Sequence, residues 1–279
     1  MNEGFAVRAM SRAEVDMALD WAEAEGWNPG LGDADAFFAT DPNGFFVAER
    51  DGRPVGCISA VAYDHAFGFT GLYIVRPDGR GQGYGRAIGR TALNYLGRRT
   101  VGLDGVLAQV DSYARGGFRA AHHSVRFAGS PGGQPGAGLS PAADVPFDLL
   151  ARYDREHFPA ARPAFLRRWI AQRKTTALVA VDSGAVQGFG VIRPCRRGFK
   201  IGPLFADTEV IAERIFSGLA AAVAAGPVFL DVPAVNDAAL ALAKRHAMTA
   251  VFETVRMYLG PAPALPLEQI FGITSFELG

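Results

Sequence analysis

Apolar positions along the 279-residue chain recur with two periods, and the places where the period changes mark out the elements. Ala13 to Glu25 carries helical spacing. Phe45–Glu49 and Val55–Tyr63 read as strands joined by the turn Asp51-Gly52, and Phe69–Val75 reads as a third strand. Arg86 to Leu96 follows as a helix with Ile88, Ala92, Tyr95 and Leu96 on one face. Val106–Val110 and His123–Phe127 read as further strands. Then comes Ser130 to Pro141, SPGGQPGAGLSP, where almost nothing can be buried. Beyond it the order returns: Phe147–Phe158 and Phe165–Gln172 as helices, and Ala177–Val181 and Gln187–Ile192 as a strand pair around Ser183-Gly184. Gly202–Phe205 reads as a strand, Val210–Ala225 as a helix, Val228–Val232 as a strand, Asp237–His246 as a helix and Ala250–Tyr258 as a strand. The repeated order predicts an internal duplication of one α/β unit, with domains at 1–129 and 143–279 and a linker at 130–142.

Composition narrows the functional classes. A chain of this length exceeds one ordinary domain. Lys plus Arg equals Asp plus Glu at 28 each, so no global field attracts nucleic acid or anionic lipid, and neither is expected as a partner. Cys57 and Cys195 lie far apart in apolar runs, as reduced core residues rather than a disulfide framework or metal site. No run of about 18 apolar residues appears, and the expected compartment is the cytoplasm.

The chemistry-bearing segment is Leu72 to Arg86, LYIVRPDGRGQGYGR, which opens directly into the helix ending at Leu96. A strand, a glycine-rich turn and a helix start together form an anion-holding device. Gly81, Gly83 and Gly85 let the backbone approach a diphosphate. The free N–H groups of the first helical turn then point at it, with the positive end of the dipole behind them. Arg80 and Arg86 can add charge-assisted bonds to phosphate. No G-x-G-x-x-G follows an N-terminal strand and no Gly-Lys-Ser/Thr closes the loop, so dinucleotide and nucleoside triphosphate sites recede.

Val75 to Gly85 spells V-x-P-x-x-R-G-x-G-x-G and resembles motif A of the GCN5-related N-acetyltransferases (GNATs). The resemblance implies an α/β (α+β) protein of two GNAT-like domains, each a mixed, mostly antiparallel central sheet flanked by helices, with acetyl-CoA as co-substrate and no metal. It implies that the fourth strand is bent, commonly by a bulge. Tyr73, Ile74 and Val75 would pair with pantetheine amides, while Arg80, Gly81, Gln82, Gly83, Tyr84, Gly85 and Arg86 would wrap the pyrophosphate. Tyr113, four residues before Gly117-Phe118, matches the family's tyrosine that protonates the departing thiolate, although Asp111-Ser112 shortens the segment before it. The second half resembles a degenerate copy: Phe205 to Glu209 lacks glycines and arginines and carries two carboxylates, so coenzyme A is not expected there.

The acceptor side is less legible. Candidates are Asp64 and His65 at a strand end, His122 and His123 beyond Tyr113, and Trp27 and Asn28 in a turn over the cleft. Glu253, Arg256 and the tail Phe271–Leu278 reach the same cleft by topology. With no Gly-x-Ser-x-Gly and no partnered cysteine, direct transfer to a small-molecule or peptide amine is expected, with a homodimer possible. The competing reading is a non-catalytic acyl-CoA-binding or sensing protein.

Overall fold

The computed structural model describes residues 4–223 and 225–279. The first half runs β1 (Phe5–Ala9), α1 (Arg12–Ala24), α2 (Asp33–Thr40), β2 (Phe45–Arg50), β3 (Arg53–Ala62), β4 (Phe67–Val75), α3 (Tyr84–Leu96), β5 (Thr100–Val106), α4 (Val110–Arg115) and β6 (Arg119–Gly129). The second half repeats that order. It runs β7 (Leu139–Pro141), α5 (Phe147–His157), α6 (Pro163–Ile170), β8 (Thr176–Asp182), β9 (Ala185–Pro194), β10 (Phe199–Ala206), α7 (Glu209–Ala221), β11 (Val228–Pro233), α8 (Asp237–Arg245) and β12 (Thr249–Leu259). A short β13 (Ile270–Gly272) has no counterpart in the first half.

Local chemistry accounts for most of these boundaries. Ser11 and Glu14 close a capping box over α1, whose buried Val15, Ala18, Leu19 and Ala22 lie at helical spacing. Asp51 and Gly52 both take positive φ, the geometry that joins β2 to β3 with the twist of a hairpin. The Asn236 side chain accepts from the N–H of Ala239 and starts α8.

All strands join one sheet in the order β1-β2-β3-β4-β5-β12-β6-β11-β10-β9-β8-β7. The pairs are antiparallel except β4/β5 and β10/β11. The halves exchange their last strands. β12 of the second half pairs with β5 of the first, and β6 of the first pairs with β11 of the second. A long β6/β12 ladder, with Ser124 opposite Thr254, lies at the centre of a pseudo-two-fold arrangement. The Gly/Pro-rich segment therefore connects halves that already share a sheet, and its end forms the edge strand β7 against β8.

One face of the sheet carries two separate cores. Ile88, Ala92 and Leu96 of α3 pack on Ile58, Leu103, Phe118 and Met257, while α7 and α8 pack on the second half. On the opposite face α1, α2, α5 and α6 share one core that includes Phe37, Phe165, Trp169 and Phe205. Each such buried apolar side chain contributes about 1.5–3 kcal/mol. Buried ion pairs also cross between halves on this face: Arg193 Nε donates to Asp33 at 2.7 Å, Arg126 to Asp231 at 2.6 Å and Arg256 to Asp104 at 2.8 Å.

The fifth strand differs from the sequence expectation. Val106 ends β5 instead of starting it; Leu107–Gln109 forms a 3-10 turn and Val110 opens α4. The reason lies in the packing of TVGLDGV. Gly102 makes room for Phe69 and Tyr258, Gly105 for the Tyr113 ring, and Asp104 is buried against Arg256. Two glycines and a carboxylate hide a central strand from pattern reading.

Candidate functional site

In β4 the Cα register slips between Cys57 and Ser59, so Leu72 and Tyr73 stand opposite Ile58 alone, and Leu72 takes φ 47°. This is the bulge implied by the resemblance. The parallel ladder with β5 runs only from Phe67/Thr100 to Thr70/Leu103. Beyond it Gly71–Val75 and Asp104–Val106 diverge. Among the described residues the β5-facing backbone of Tyr73, Ile74 and Val75 has no ladder partner, and a slot opens through the sheet.

At the wide end of the slot the chain turns through Pro77–Gly79 into the loop before α3. Gly81 and Gly83 take φ of 77° and 85°, conformations that a side chain disfavours, and among the described residues nothing beyond their immediate chain neighbours lies within 4 Å of where a Cβ would stand. Gly83 is the N-cap of α3 and offers no side-chain cap, leaving the first N–H groups open to an anion. The loop is braced around them. Arg80 Nε donates to Val75 O at 3.0 Å and its guanidinium meets Glu25. Gln82 donates to Asp78 O at 2.9 Å, and the Tyr84 ring stacks on Phe5 at 5.0 Å. Arg86 is exposed at the helix start. The Tyr73 hydroxyl lies against Gly85 and Gly89, 3.0 and 3.3 Å from where their Cβ atoms would be.

Tyr113 sits in α4, its ring 6.4 Å from that of Tyr73 and 6.2 Å from Phe118. The Phe118 N–H donates to Tyr113 O at 3.1 Å, which ties the Gly116-Gly117 turn to the tyrosine. Burial, with a smaller contribution from Tyr73, pushes the Tyr113 phenol up to about 12, so it stays protonated across the ordinary pH range. Slot, loop and Tyr113 thus come together on the α3 side of the first half.

The acceptor candidates are placed differently. Asp64 caps the β3–β4 turn, accepting from the N–H groups of Ala66 and Phe67, with His65 exposed beside it. Asn28, at φ 53°, donates to Arg197 O and accepts from the Arg197 N–H, while its carbonyl accepts from Lys200; the Trp27 carbonyl accepts from Arg126. Asn28 therefore binds the first half to the second, while Trp27 is held by β6 of its own half. His123 meets Glu253 at the surface. His122 borders a small cavity with Phe158, Arg256, Tyr258 and Gly279, and burial together with Arg256 and His123 holds it down at about 4.

The tail, directed to the cleft by topology, holds a residue that sequence reasoning did not single out, Glu277. Ile273 to Gly279 is buried on the α1/α2 face, directly beneath the slot. A Cβ on Gly71, the first residue past the ladder, would collide with the Glu277 carbonyl. The signal was a single carboxylate, Glu277, in the otherwise uncharged run ITSFELG.

The second half holds a parallel arrangement with opposite consequences. β10 slips in register between Ile201 and Leu204, and its ladder with β11 stops at Ile201/Leu230. β13 fills the divergence, pairing with Leu204 and Phe205, and the Ile273 N–H donates to Asp231 O at 2.9 Å. The α7 start is capped by Thr208 and carries Glu209 in its first turn.

A splayed parallel pair beside a bulged strand, twice over in one sheet, with an open helix start after a glycine loop in the first half, defines a tandem GNAT-type fold. Solved structures share it. A Pyrococcus horikoshii protein assigned as an acetyltransferase superposes with TM-score 0.85 at 24% identity over 100% of this chain and 97% of its own. A tandem GNAT protein from the clavulanic acid biosynthesis pathway gives 0.62 at 15% identity over 93% of this chain and 100% of its own. Residues 12–117 match the acetyltransferase (GNAT) family, and residues 150–272 match an acetyltransferase (GNAT) domain. The holothin acyltransferase of Pseudoalteromonas sp. is 30% identical over 96% of this chain and 92% of that protein. The chain belongs to the GNAT superfamily as a tandem member and is an acyltransferase.

Proposed function

We propose that the first half binds acetyl-CoA and that the enzyme transfers the acetyl group to the amine of a small molecule. The observation that carries this is the slot: the β4/β5 ladder ends at Thr70/Leu103, and the uncapped start of α3 lies at its wide end. These residues fit the co-substrate. The unpaired backbone of Tyr73–Val75 offers an edge for pantetheine amides, and the open N–H groups from Gly81 to Arg86 offer a cradle for the diphosphate. Bound there, the thioester supplies an activated acyl carbon. Tyr113, protonated and facing Tyr73 across the slot, holds the proton that the leaving sulfur needs.

The relative's name makes holothin the first acceptor to try. Thiol release from acetyl-CoA should be followed with a panel of primary amines that includes holothin. Tyr113→Phe is expected to lower turnover about 100-fold while acetyl-CoA affinity stays within about twofold. Full activity in that variant would place the acid elsewhere, and no turnover with any amine would overturn the reading.

A further inference from the structure

Building on the acyl-transfer reading, we propose that Glu277 is the carboxylate that receives the acceptor amine and takes its proton. The backbone of Glu277 is fixed at the narrow end of the slot. The Gly71 N–H donates to Ser59 Oγ at 3.0 Å, Ser59 Oγ donates to Glu277 O at 3.5 Å, and Tyr63 Oη donates to Leu278 O at 2.8 Å. Gly71 lies one residue before the bulge at Leu72. The Glu277 backbone is thereby held where the two strands part, on the face opposite Tyr113.

The Glu277 side chain is only 2% exposed, and among the described residues neither Oε has a hydrogen-bond partner. The buried aspartates differ, since Asp33, Asp104, Asp154 and Asp231 each bind an arginine. Burying an unpartnered carboxylate costs several kcal/mol, and a cationic donor removes that cost. The charge of Glu277 acts on Asp104 of β5, Arg126 of β6, Arg193 of β9 and Lys200 of β10. Those three cations are already engaged: Arg126 with Asp231, Arg193 with Asp33, and Lys200 with the Asn28 carbonyl.

Two further groups sit in the same layer. Ser124 Oγ and Thr254 Oγ1 are buried and without partners among the described residues, and they are direct cross-strand neighbours on β6 and β12. Arg126 lies two residues along β6 from Ser124, and Arg256, bound to Asp104, lies two residues along β12 from Thr254. The groups that feel Glu277 therefore flank the hydroxyl pair on both sides. A carboxylate and two hydroxyls match the three N–H donors of a primary ammonium. Arg256 also borders the small cavity lined by His122, Tyr258 and Gly279, which lies beside this layer.

Along β5, Gly105 touches the Tyr113 ring while Asp104 points to the opposite face, towards Glu277. Base and acid thus flank the slot. The acceptor ammonium gives one proton to Glu277. Its nitrogen bonds to the acyl carbon as the carbon–sulfur bond breaks, and the sulfur takes a proton from Tyr113. The second proton leaving the nitrogen replaces the one Tyr113 gave, so the products are the amide, the free thiol and a protonated Glu277.

The test compares wild type with Glu277→Gln, using acetyl-CoA and the primary-amine panel from pH 6 to 9. The variant is expected to lose about 100-fold or more in turnover, to recover partly at the alkaline end where the amine is already free base, and to bind acetyl-CoA within about twofold of wild type. Thr254→Val, a mild change, is expected to raise the KM for the amine several-fold with kcat nearly kept. Turnover within about threefold of wild type in Glu277→Gln, or an unmoved amine KM in Thr254→Val, would overturn the assignment while leaving acyl transfer intact. Wild type that binds acetyl-CoA and acylates no amine would overturn the underlying reading and this proposal with it.

Discussion

The two slots of this sheet begin from the same topology and end in opposite states. In each half a bulged strand parts from its parallel neighbour after three or four paired residues. The first slot keeps its backbone edge free and faces an uncapped helix start behind glycines. The second is filled by β13, and its helix start is satisfied by Thr208, with Asp207 held by the Tyr153 hydroxyl at 2.7 Å. Topology supplies the opening, and the loop chemistry decides whether an anion can use it. The residues that close the second slot then continue through Ile273 to Gly279 to form the floor of the first. A degenerate half can thus lose its own ligand and still shape the site of its partner.

The largest effect expected is on the plug. Phe271 is 1% exposed in β13, and Phe271→Ala should cost about 3–5 kcal/mol by denaturant unfolding without creating a second acetyl-CoA site. A second site appearing would show that β13, rather than the α7 cap and its acids, is what closes that half. Gly83→Val comes next. Acetyl-CoA affinity should fall by more than about 100-fold, because a β-branched residue at φ 85° distorts the open helix start. Thr208→Val in the second half should cost about 1 kcal/mol of stability and leave binding unchanged. Equal effects on binding from both would erase the distinction between the slots.

Smaller effects refine it. Arg80→Ala should weaken acetyl-CoA by about 1–2 kcal/mol in a titration, since its guanidinium is half exposed and shared with Glu25. Affinity equal to wild type would leave Arg80 as a brace for the loop alone. His122 is held at about 4 in the folded protein against an ordinary 6.5. The unfolded chain therefore takes up the proton first, so stability present above pH 6.5 is lost as pH falls towards 4, by about 3 kcal/mol. His122→Gln should flatten that part of the stability profile, and an unchanged slope would assign the acid sensitivity to other groups.

Much of the fold was legible because its outer strands and helices are amphipathic. α1, β2 to β4, α3, β8 to β11 and α7 fall within a few residues of where periodicity puts them. What stayed hidden has physical causes. β5 is interrupted by Gly102 and Asp104, required by Phe69, Tyr258 and Arg256 far away in sequence, and by Gly105, required by the Tyr113 ring. β1, β7 and β13 are too short to show a period. The exchange of β6 and β12 depends on pairings more than 100 residues apart, which no local pattern encodes. In the site, the loop from Arg80 to Arg86 stood out because its glycines follow the Val75-x-Pro77 strand end and run directly into a helix start, a combination more specific than the glycines alone. Trp27, Asn28 and Asp64 were attractive by position, and the structure engages Asp64 in a turn, Trp27 with Arg126 of its own half and Asn28 in a contact between the halves. Glu277 belongs to a tail with no helical or strand signal, and only its burial beneath Gly71 draws attention to it.

The account rests on one working slot per chain, and calorimetric titration of the full-length protein with acetyl-CoA tests that most directly. One site per chain, lost in Gly83→Val and kept in Thr208→Val, is the expected result. Two sites, or none, would contradict it.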